Sequence, residues 1–201
     1  MSERILTIGH SNQTLEAFLS LLSAYGIGVI ADVRSTPVSR YSPQFDQKTI
    51  ALALPRSGFK YVYMGAELGG RPSTSGFYDT KRRVLYDQVA QSPTFGQGIQ
   101  RLMKGAESYV VAVMCSEEDP SFCHRRLLIG RVLTESGVEI AHIRGDGSLQ
   151  TEAELARLEQ ATERQPQLML FETRGEYKAW RSAKPIPSAS PRGERRSSLK
   201  R

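Results

Sequence analysis

The chain has 201 residues, of which 27 are Lys or Arg, 21 are Asp or Glu and two are Cys, and its formal net charge is +6. A chain of this length buries a core without disulfide or metal staples. No apolar run reaches the roughly 18 residues of a membrane span, and the first residues lack the apolar stretch of a signal peptide. These features argue against a membrane protein and a disulfide-rich secreted protein, and we expect a cytoplasmic protein with reduced thiols and no membrane partner.

The first elements form a strand, a helix and a second strand. Residues 5–8 are apolar and predict a buried strand. Leucine and phenylalanine then recur at the spacing of one helix face, with Ser11 or Thr14 as the N-terminal cap and Gly26 at the end. Residues 27–33 predict the second strand, and two strands joined by a helix lie parallel.

The later elements follow the same alternation. The patterns predict strands over residues 59–63, 109–114 and 138–143, and helices over residues 46–54, 80–91, 94–104 and 120–135. We therefore predict a single three-layer α/β domain with a mostly parallel sheet over residues 1–148. A capped helix and a short peptide follow over residues 149–171.

Polar motifs stand where the predicted strands end, which is the edge at which open α/β sheets bind ligands. We expect them to converge on one crevice. The motifs are Gly9-His10-Ser11, Asp32-Val33-Arg34, Leu68-Gly69-Gly70-Arg71 and Met114-Cys115-Ser116-Glu117.

Together with Ser39-Arg40, Cys123-His124-Arg125 and His142-Ile143, these motifs resemble the domain of unknown function family 488. The resemblance spans about residues 5–144 and keeps the motifs in order. It implies a compact α/β domain and leaves the activity open.

Cys115 is a candidate nucleophile. A thiol at a strand end, before a helix N-terminus and near guanidinium groups, has a lowered pKa, and His10 or His124 would be its base. The acidic loop at residues 116–119 is expected to raise that pKa instead. The alternative is a buried structural cysteine.

A metal site is the second interpretation, with Cys115, Cys123 and His124 as ligands, because thiolate and imidazole suit zinc or iron. The two cysteines are separated by seven residues, unlike the close pairs of structural zinc sites. The cofactor therefore stays unassigned, and His142, alone inside a strand, is expected to be a core group.

An anion or nucleotide pocket is the third interpretation, because arginine binds phosphate in a bidentate manner. The alternative is that Asp32 with Arg34, and Glu117 with Arg125, form internal ion pairs that hold loops to the sheet. The candidate catalytic residues are His10, Cys115, Glu117 and His124. The candidate substrate-binding residues are Ser11, Asp32, Arg34, Arg40, Arg71 and Arg125.

The segment Gln167-Leu168-Met169-Leu170-Phe171 resembles the peptide that binds the bacterial sliding clamp. Met169 departs from that peptide at its tolerant middle position, and Gln167, Leu168, Leu170 and Phe171 match it. The alternative is an edge strand packed on the domain. As a clamp-binding peptide, the segment would place the protein on DNA at replication or repair sites.

The excess positive charge lies in the last part of the chain. Residues 172–201 hold nine Lys and Arg against three acids, and they are rich in Pro and Ser. This composition predicts a basic, largely disordered tail, which either binds DNA phosphates or is only solvated.

The sequence thus predicts an enzyme that acts on a nucleic-acid or nucleotide substrate and is linked to DNA repair or replication. The alternative is a non-enzymatic ligand-binding or metal-binding module recruited to DNA machinery. The class of reaction is not specified by these residues.

Overall fold

Six strands form one sheet in the order β3-β2-β4-β1-β5-β6 in a computed structural model, which describes residues 4–163 and 180–185. The first five strands are parallel, and β6 pairs antiparallel with β5. This arrangement confirms the predicted α/β fold with a mostly parallel sheet. The strands are β1 (Arg4–Gly9), β2 (Val29–Asp32), β3 (Lys60–Tyr63), β4 (Val111–Cys115), β5 (Glu139–Ile143) and β6 (Leu149–Thr151).

Helices cover both faces of the sheet. Seven α-helices are described: α1 (Leu15–Ala24), α2 (Gln47–Arg56), α3 (Gly65–Leu68), α4 (Tyr86–Ala90), α5 (Pro93–Ala106), α6 (Arg131–Glu135) and α7 (Glu152–Glu163). Short 3-10 turns lie at Pro43–Phe45, Ser75–Phe77 and Pro120–Phe122, and a π-helix lies at Arg125–Gly130. Among the described helices, none is long and apolar enough to cross a bilayer.

The three layers follow from the alternation of side chains along the strands. In β4, Ala112 and Met114 pack with the apolar faces of α1 and α2, whereas Val111 and Val113 pack with α4, α5 and α6. Every residue of β4 is buried, as expected of a central parallel strand covered on both faces.

The first helix begins as its sequence predicts. The Thr14 hydroxyl accepts a hydrogen bond from the backbone N–H of Ala17 at 3.2 Å, and Phe18 and Leu22 are its buried residues. Gly26 follows the helix with φ of +60°, a conformation that glycine adopts without steric cost.

The helix predicted over residues 120–135 is divided in the structure. It consists of the 3-10 turn, then Cys123 and His124, the π-helix and α6. A period of 3.6 residues does not reveal the extra residue of a π turn, and such turns are frequent at functional sites. The helix predicted over residues 80–91 begins later, at Tyr86, because residues 79–83 form a turn in which Arg82 has φ of +62°.

The fold extends beyond the predicted boundary at residue 148. Helix α7 packs on the domain through the buried Leu155. Residues 180–185 lie within the segment that the sequence predicts as a largely disordered tail, and the structure describes these six residues in contact with the domain. The Trp180 ring nitrogen donates to the carbonyl oxygen of Leu127 at 2.7 Å, and the Ser182 hydroxyl accepts from the Val84 N–H at 2.9 Å. The candidate clamp peptide at residues 167–171 and the rest of the tail lie outside the described residues.

Candidate functional site

The ends of β1, β2 and β4 meet at one edge of the sheet. Gly9 is in register with Cys115, and Asp32 with Met114. The chain beyond the strands stays paired, since His10 N–H donates to the Cys115 carbonyl at 3.0 Å. The glycine motif after β3 reaches the same edge through α3. The predicted convergence of these motifs is therefore observed.

Two thiols and one imidazole form a cluster at this edge. Cys115 ends β4, whereas Cys123 and His124 precede the π-helix. His124 Nδ1 lies 3.8 Å from Cys115 Sγ and 3.9 Å from Cys123 Sγ. The three atoms all lie within 4.8 Å of one another, and both cysteines are buried.

The other ring nitrogen of His124 determines what Nδ1 can do. His124 Nε2 lies 3.1 Å from the carbonyl oxygen of Val33. A carbonyl oxygen only accepts, so Nε2 carries the hydrogen. In the neutral ring, Nδ1 then presents a lone pair to both sulfur atoms.

The pKa values of the two thiols differ in direction. A hydrogen bond from Cys123, together with His124 and the charge of Arg125, holds the pKa of Cys115 well below its usual range. Burial and the neighbouring Cys115 sulfur raise the pKa of Cys123 well above it. The pair thus favours a thiolate at Cys115 and a thiol at Cys123. The pKa of Cys115 is thus lowered although the loop that follows it is acidic. In this loop Glu117 is exposed, and Glu118 is paired with Arg144 at 2.8 Å.

Arg125 positions the loop beside this cluster. Its side chain is fully buried and donates to the carbonyl oxygens of Glu117 and Glu118 and to the Thr7 hydroxyl at 3.2 Å. Its hydrogen-bonding groups face the protein interior, so these contacts do not support the predicted role of Arg125 in substrate binding, which stays a prediction. Arg125 holds the loop through the backbone carbonyl oxygens of Glu117 and Glu118. The alternative interpretation placed an ion pair between Arg125 and the Glu117 carboxylate, and the observed contact is to the Glu117 carbonyl oxygen instead.

Two glycines of the motifs allow the close contacts of the site. A Cβ atom on Gly70 would lie 2.5 Å from Cγ of His124, and one on Gly9 would lie 1.8 Å from the Glu117 carbonyl oxygen. Real Cβ atoms do not approach so closely. The glycines therefore permit the His124 ring and the loop after β4 to occupy their positions.

Arg34 belongs to a separate, closed network. It donates to Asp32 through Nε at 2.9 Å and Nη2 at 2.6 Å, and to the Phe45 carbonyl at 2.8 Å. Asp32 also accepts from the Tyr61 hydroxyl at 2.8 Å. The internal ion pair that was the alternative interpretation is therefore observed, and a substrate role for Asp32 and Arg34 is not supported by their contacts.

His10 lies in the same network. Its Nε2 accepts from Arg34 Nη1 at 3.0 Å, and its Nδ1 donates to the Ser11 carbonyl at 2.8 Å. The ring stacks on Phe45 with centroids 4.3 Å apart, and burial lowers the pKa of His10. Both ring nitrogens are engaged, so the geometry does not bring His10 to the thiols as a base.

Four other predicted residues are exposed or partly exposed. Glu117, Arg40 and Arg71 are exposed, and Arg71 follows the glycine that contacts His124. Ser11 is partly exposed with φ of +47°, and its N–H donates to the Ser116 carbonyl at 3.0 Å. These four are the predicted substrate-binding and catalytic groups that face solvent. Ser11, Arg71 and Glu117 adjoin the loops of the cluster, and we call these three residues the rim.

The third histidine is a core group, as the sequence suggested. His142 is fully buried, and its ring nitrogens contact the Thr7 hydroxyl and the Glu152 carboxylate, each at 2.7 Å. Arg126 donates to the same carboxylate.

Sequence reasoning missed the Val33 carbonyl and the ring contact of Gly70. A backbone acceptor leaves no signature in a sequence. The doubled glycine of Leu68-Gly69-Gly70-Arg71 was the one signal of a close approach by another group.

Comparison with known proteins places the chain in a family. Neither a curated protein nor a solved structure matches it. A family model matches residues 14–132, more than half of the chain, and this range contains the cluster of Cys115, Cys123 and His124. The chain therefore belongs to the family described as Domain of unknown function DUF488.

Proposed function

We propose that the protein is an enzyme that acts on a phosphate-bearing nucleotide or nucleic-acid substrate at the carboxyl edge of the sheet. The observation that carries this proposal is the imidazole of His124, whose Nδ1 lone pair faces Cys115 Sγ at 3.8 Å. A thiol beside an oriented base is a standard arrangement for covalent or acid–base catalysis. A purely structural cysteine requires no such base.

The substrate class is supported by the rim. Arg34 and Arg125 are occupied by protein oxygens, whereas Arg40 and Arg71 are exposed. Arg71 lies next to Gly70, which contacts the reactive imidazole. A guanidinium group at this place suits a phosphate held above the cluster. Glu117 on the same rim is the candidate for proton transfer to the leaving group.

The experiment is a turnover assay of the full chain. The substrates are a phosphomonoester, a phosphodiester, a nucleoside triphosphate and single-stranded DNA, with products followed by chromatography. We expect turnover of at least one of them, and a loss of about 100-fold or more in Cys115→Ser and His124→Gln. Arg71→Ala should raise KM. The charge-matched control Arg56→Ala, exposed at the far end of α2, should not.

Two outcomes would contradict the proposal. Tight binding of a substrate without turnover would identify the non-enzymatic module instead. Equal effects of Arg71→Ala and Arg56→Ala would remove the rim from the substrate site.

We also propose that the protein works in the cytoplasm with DNA and the bacterial sliding clamp as partners, in replication or repair. This part rests on the sequence of the peptide at residues 167–171 and on the basic residues that follow it. Leu170→Ala with Phe171→Ala should abolish clamp binding, whereas Gln165→Ala outside the peptide should not. Deletion of residues 186–201 should flatten the salt dependence of DNA binding, and an unchanged slope would exclude these residues as the anchor.

A further inference from the structure

We propose that Cys115, Cys123 and His124 form a binding site for one zinc ion, through the two sulfur atoms and His124 Nδ1. This inference refines the proposed function: with zinc bound, Cys115 and His124 would hold the metal instead of acting as nucleophile and base, and the zinc ion would supply the catalytic group of the site. The role of zinc in a reaction rests on the proposed function. Zinc binding itself does not, because it is measured without a substrate.

The distances between the donor atoms support a metal site. Zinc binds sulfur at about 2.3 Å and imidazole nitrogen at about 2.0–2.1 Å in a tetrahedron, which places sulfur and nitrogen about 3.6 Å apart. The two sulfur–nitrogen distances are 3.8 and 3.9 Å. Each sulfur–nitrogen distance would therefore have to shorten by only a few tenths of an ångström, and the two sulfur atoms lie within 4.8 Å of each other.

The orientation of His124 supports the same conclusion. Metal-binding histidines usually donate their second ring N–H to a carbonyl or carboxylate, which fixes the ring and directs the other nitrogen at the metal. His124 Nε2 makes this contact with Val33 at 3.1 Å. Gly70 lies against the ring and limits its movement. The ligand is thus held in position before a metal arrives.

The number of ligands indicates the kind of site. The chain has three histidines and two cysteines, all among the described residues, and His10 and His142 have both ring nitrogens engaged. Within the described part of the chain, the cluster therefore supplies three protein ligands. Two cysteines and one histidine with an open fourth position are typical of catalytic zinc, where water or substrate completes the tetrahedron. The loop that follows Cys115 is exposed at Ser116 and Glu117.

The test begins with the full chain, purified without chelator and without a histidine tag. Elemental analysis should find about one zinc ion per chain. After removal of the metal, titration with Co²⁺ should produce thiolate-to-cobalt charge-transfer absorption, and Zn²⁺ should displace it. Both thiols should react with an alkylating reagent faster after addition of a chelator than before it.

Variants then assign the ligands. Cys123→Ser and His124→Gln should weaken zinc binding more than about 100-fold, beyond the usual effect of a neighbouring residue. Ser121→Ala, on the segment between the cysteines, should leave it unchanged. Circular dichroism of each variant separates loss of metal from loss of fold, and the chelator experiment on the unmodified chain needs no variant.

Several results would overturn the proposal. The first is a full chain that neither retains nor takes up zinc. The second is a Ser121→Ala variant that loses zinc affinity as much as Cys123→Ser and His124→Gln do. The third is a disulfide between Cys115 and Cys123 in the purified protein. Stoichiometric zinc without turnover of any substrate would refute the proposed function and leave the metal site standing. Turnover that persists after removal of the metal would support the proposed function and would exclude a role for zinc in the reaction.

Discussion

The two walls of the carboxyl edge use their polar side chains in opposite ways. On the wall formed by β1 and β2, the groups of His10, Arg34 and Asp32 are bound to one another or to backbone oxygens. On the wall formed by β4 and the π-helix, the lone pair of His124 faces two thiols across 3.8 and 3.9 Å.

The difference separates residues whose polar groups are satisfied within the fold from residues that we propose to carry the chemistry. A buried charge is tolerated when its hydrogen bonds are complete, and the Arg34 wall meets this condition with protein atoms alone. The thiol wall holds two thiols and an imidazole whose donor atoms face one another, and these are the groups that we propose for chemistry or metal binding. We therefore expect changes on the first wall to affect stability, and changes on the second to affect function.

The largest expected effect is the loss of Asp32. Asp32→Asn removes the charge that neutralises Arg34, and both side chains are almost completely buried. Loss of one partner from a buried ion pair typically lowers the free energy of unfolding by about 3–5 kcal/mol. Urea unfolding monitored by circular dichroism measures this change.

A double replacement tests the reason for that effect. Asp32→Leu combined with Arg34→Met removes both charges, so it should destabilise the fold less than Asp32→Asn alone. A larger loss in the double variant would show that the network contributes more than charge pairing.

Gly70→Ala should have the next largest effect and should reach the second wall. The new Cβ would lie 2.5 Å from the His124 ring, so the ring must shift. Such overpacking lowers the free energy of unfolding by about 1–3 kcal/mol, and we expect zinc binding or turnover to fall with it. Gly76→Ala is the control, because a Cβ there meets nothing within 4 Å. Equal behaviour of the two variants would contradict the positioning role of Gly70.

Acid should weaken the fold through the buried histidines. Burial lowers the pKa of His10 and of His142, so the unfolded chain takes up protons below about pH 6.5, before the folded chain does. The free energy of unfolding is therefore largest above this pH. It decreases as the pH falls toward the lowered pKa values that His10 and His142 have in the folded chain. Urea midpoints at about pH 7.5 and about pH 5 measure the loss. The loss of stability between these two pH values should be smaller in His142→Gln. A urea midpoint that rises on acidification would contradict the assignment of neutral histidines.

The smallest expected change in stability is that of Arg71→Ala. Arg71 is exposed, and substitutions of this kind usually change the free energy of unfolding by less than about 0.5 kcal/mol. Arg71 and Arg34 have the same type of side chain and can be compared directly. The guanidinium group of Arg34 is bound by protein atoms, whereas that of Arg71 is exposed. A loss above about 2 kcal/mol would place Arg71 in the structural group as well.

Much of the fold was predictable because it depends on local patterns. The buried runs of β1, β2 and β4 and the capped, amphipathic α1 have the periods that define strands and helices. The strand pattern therefore predicted correctly that these motifs meet at one edge of the sheet. Strand β6 has three residues, too few for a period, and it was missed.

The roles of the arginines were not predictable, because they depend on contacts distant in sequence. Arg34 is paired with Asp32 two residues away but also binds Phe45, and Arg125 reaches Thr7 across the sheet. A sequence shows that guanidinium groups gather at an edge without showing whether they face solvent or backbone oxygens. The contact of Trp180 with the domain was not predicted either, because it also depends on residues distant in sequence. One tryptophan in a polar segment was its sole signal.

The contacts of Trp180 and Ser182 show that a chain cut after α7 would lose part of the described fold. A truncation after α7 would remove the donor to the Leu127 carbonyl and the acceptor for the Val84 N–H. Each buried group left without its partner costs about 1–3 kcal/mol. Leu127 lies in the π-helix that begins directly after His124, so such a truncation would loosen the support of the thiol wall. A shortened protein intended for crystallisation or for assays should therefore end after Pro185.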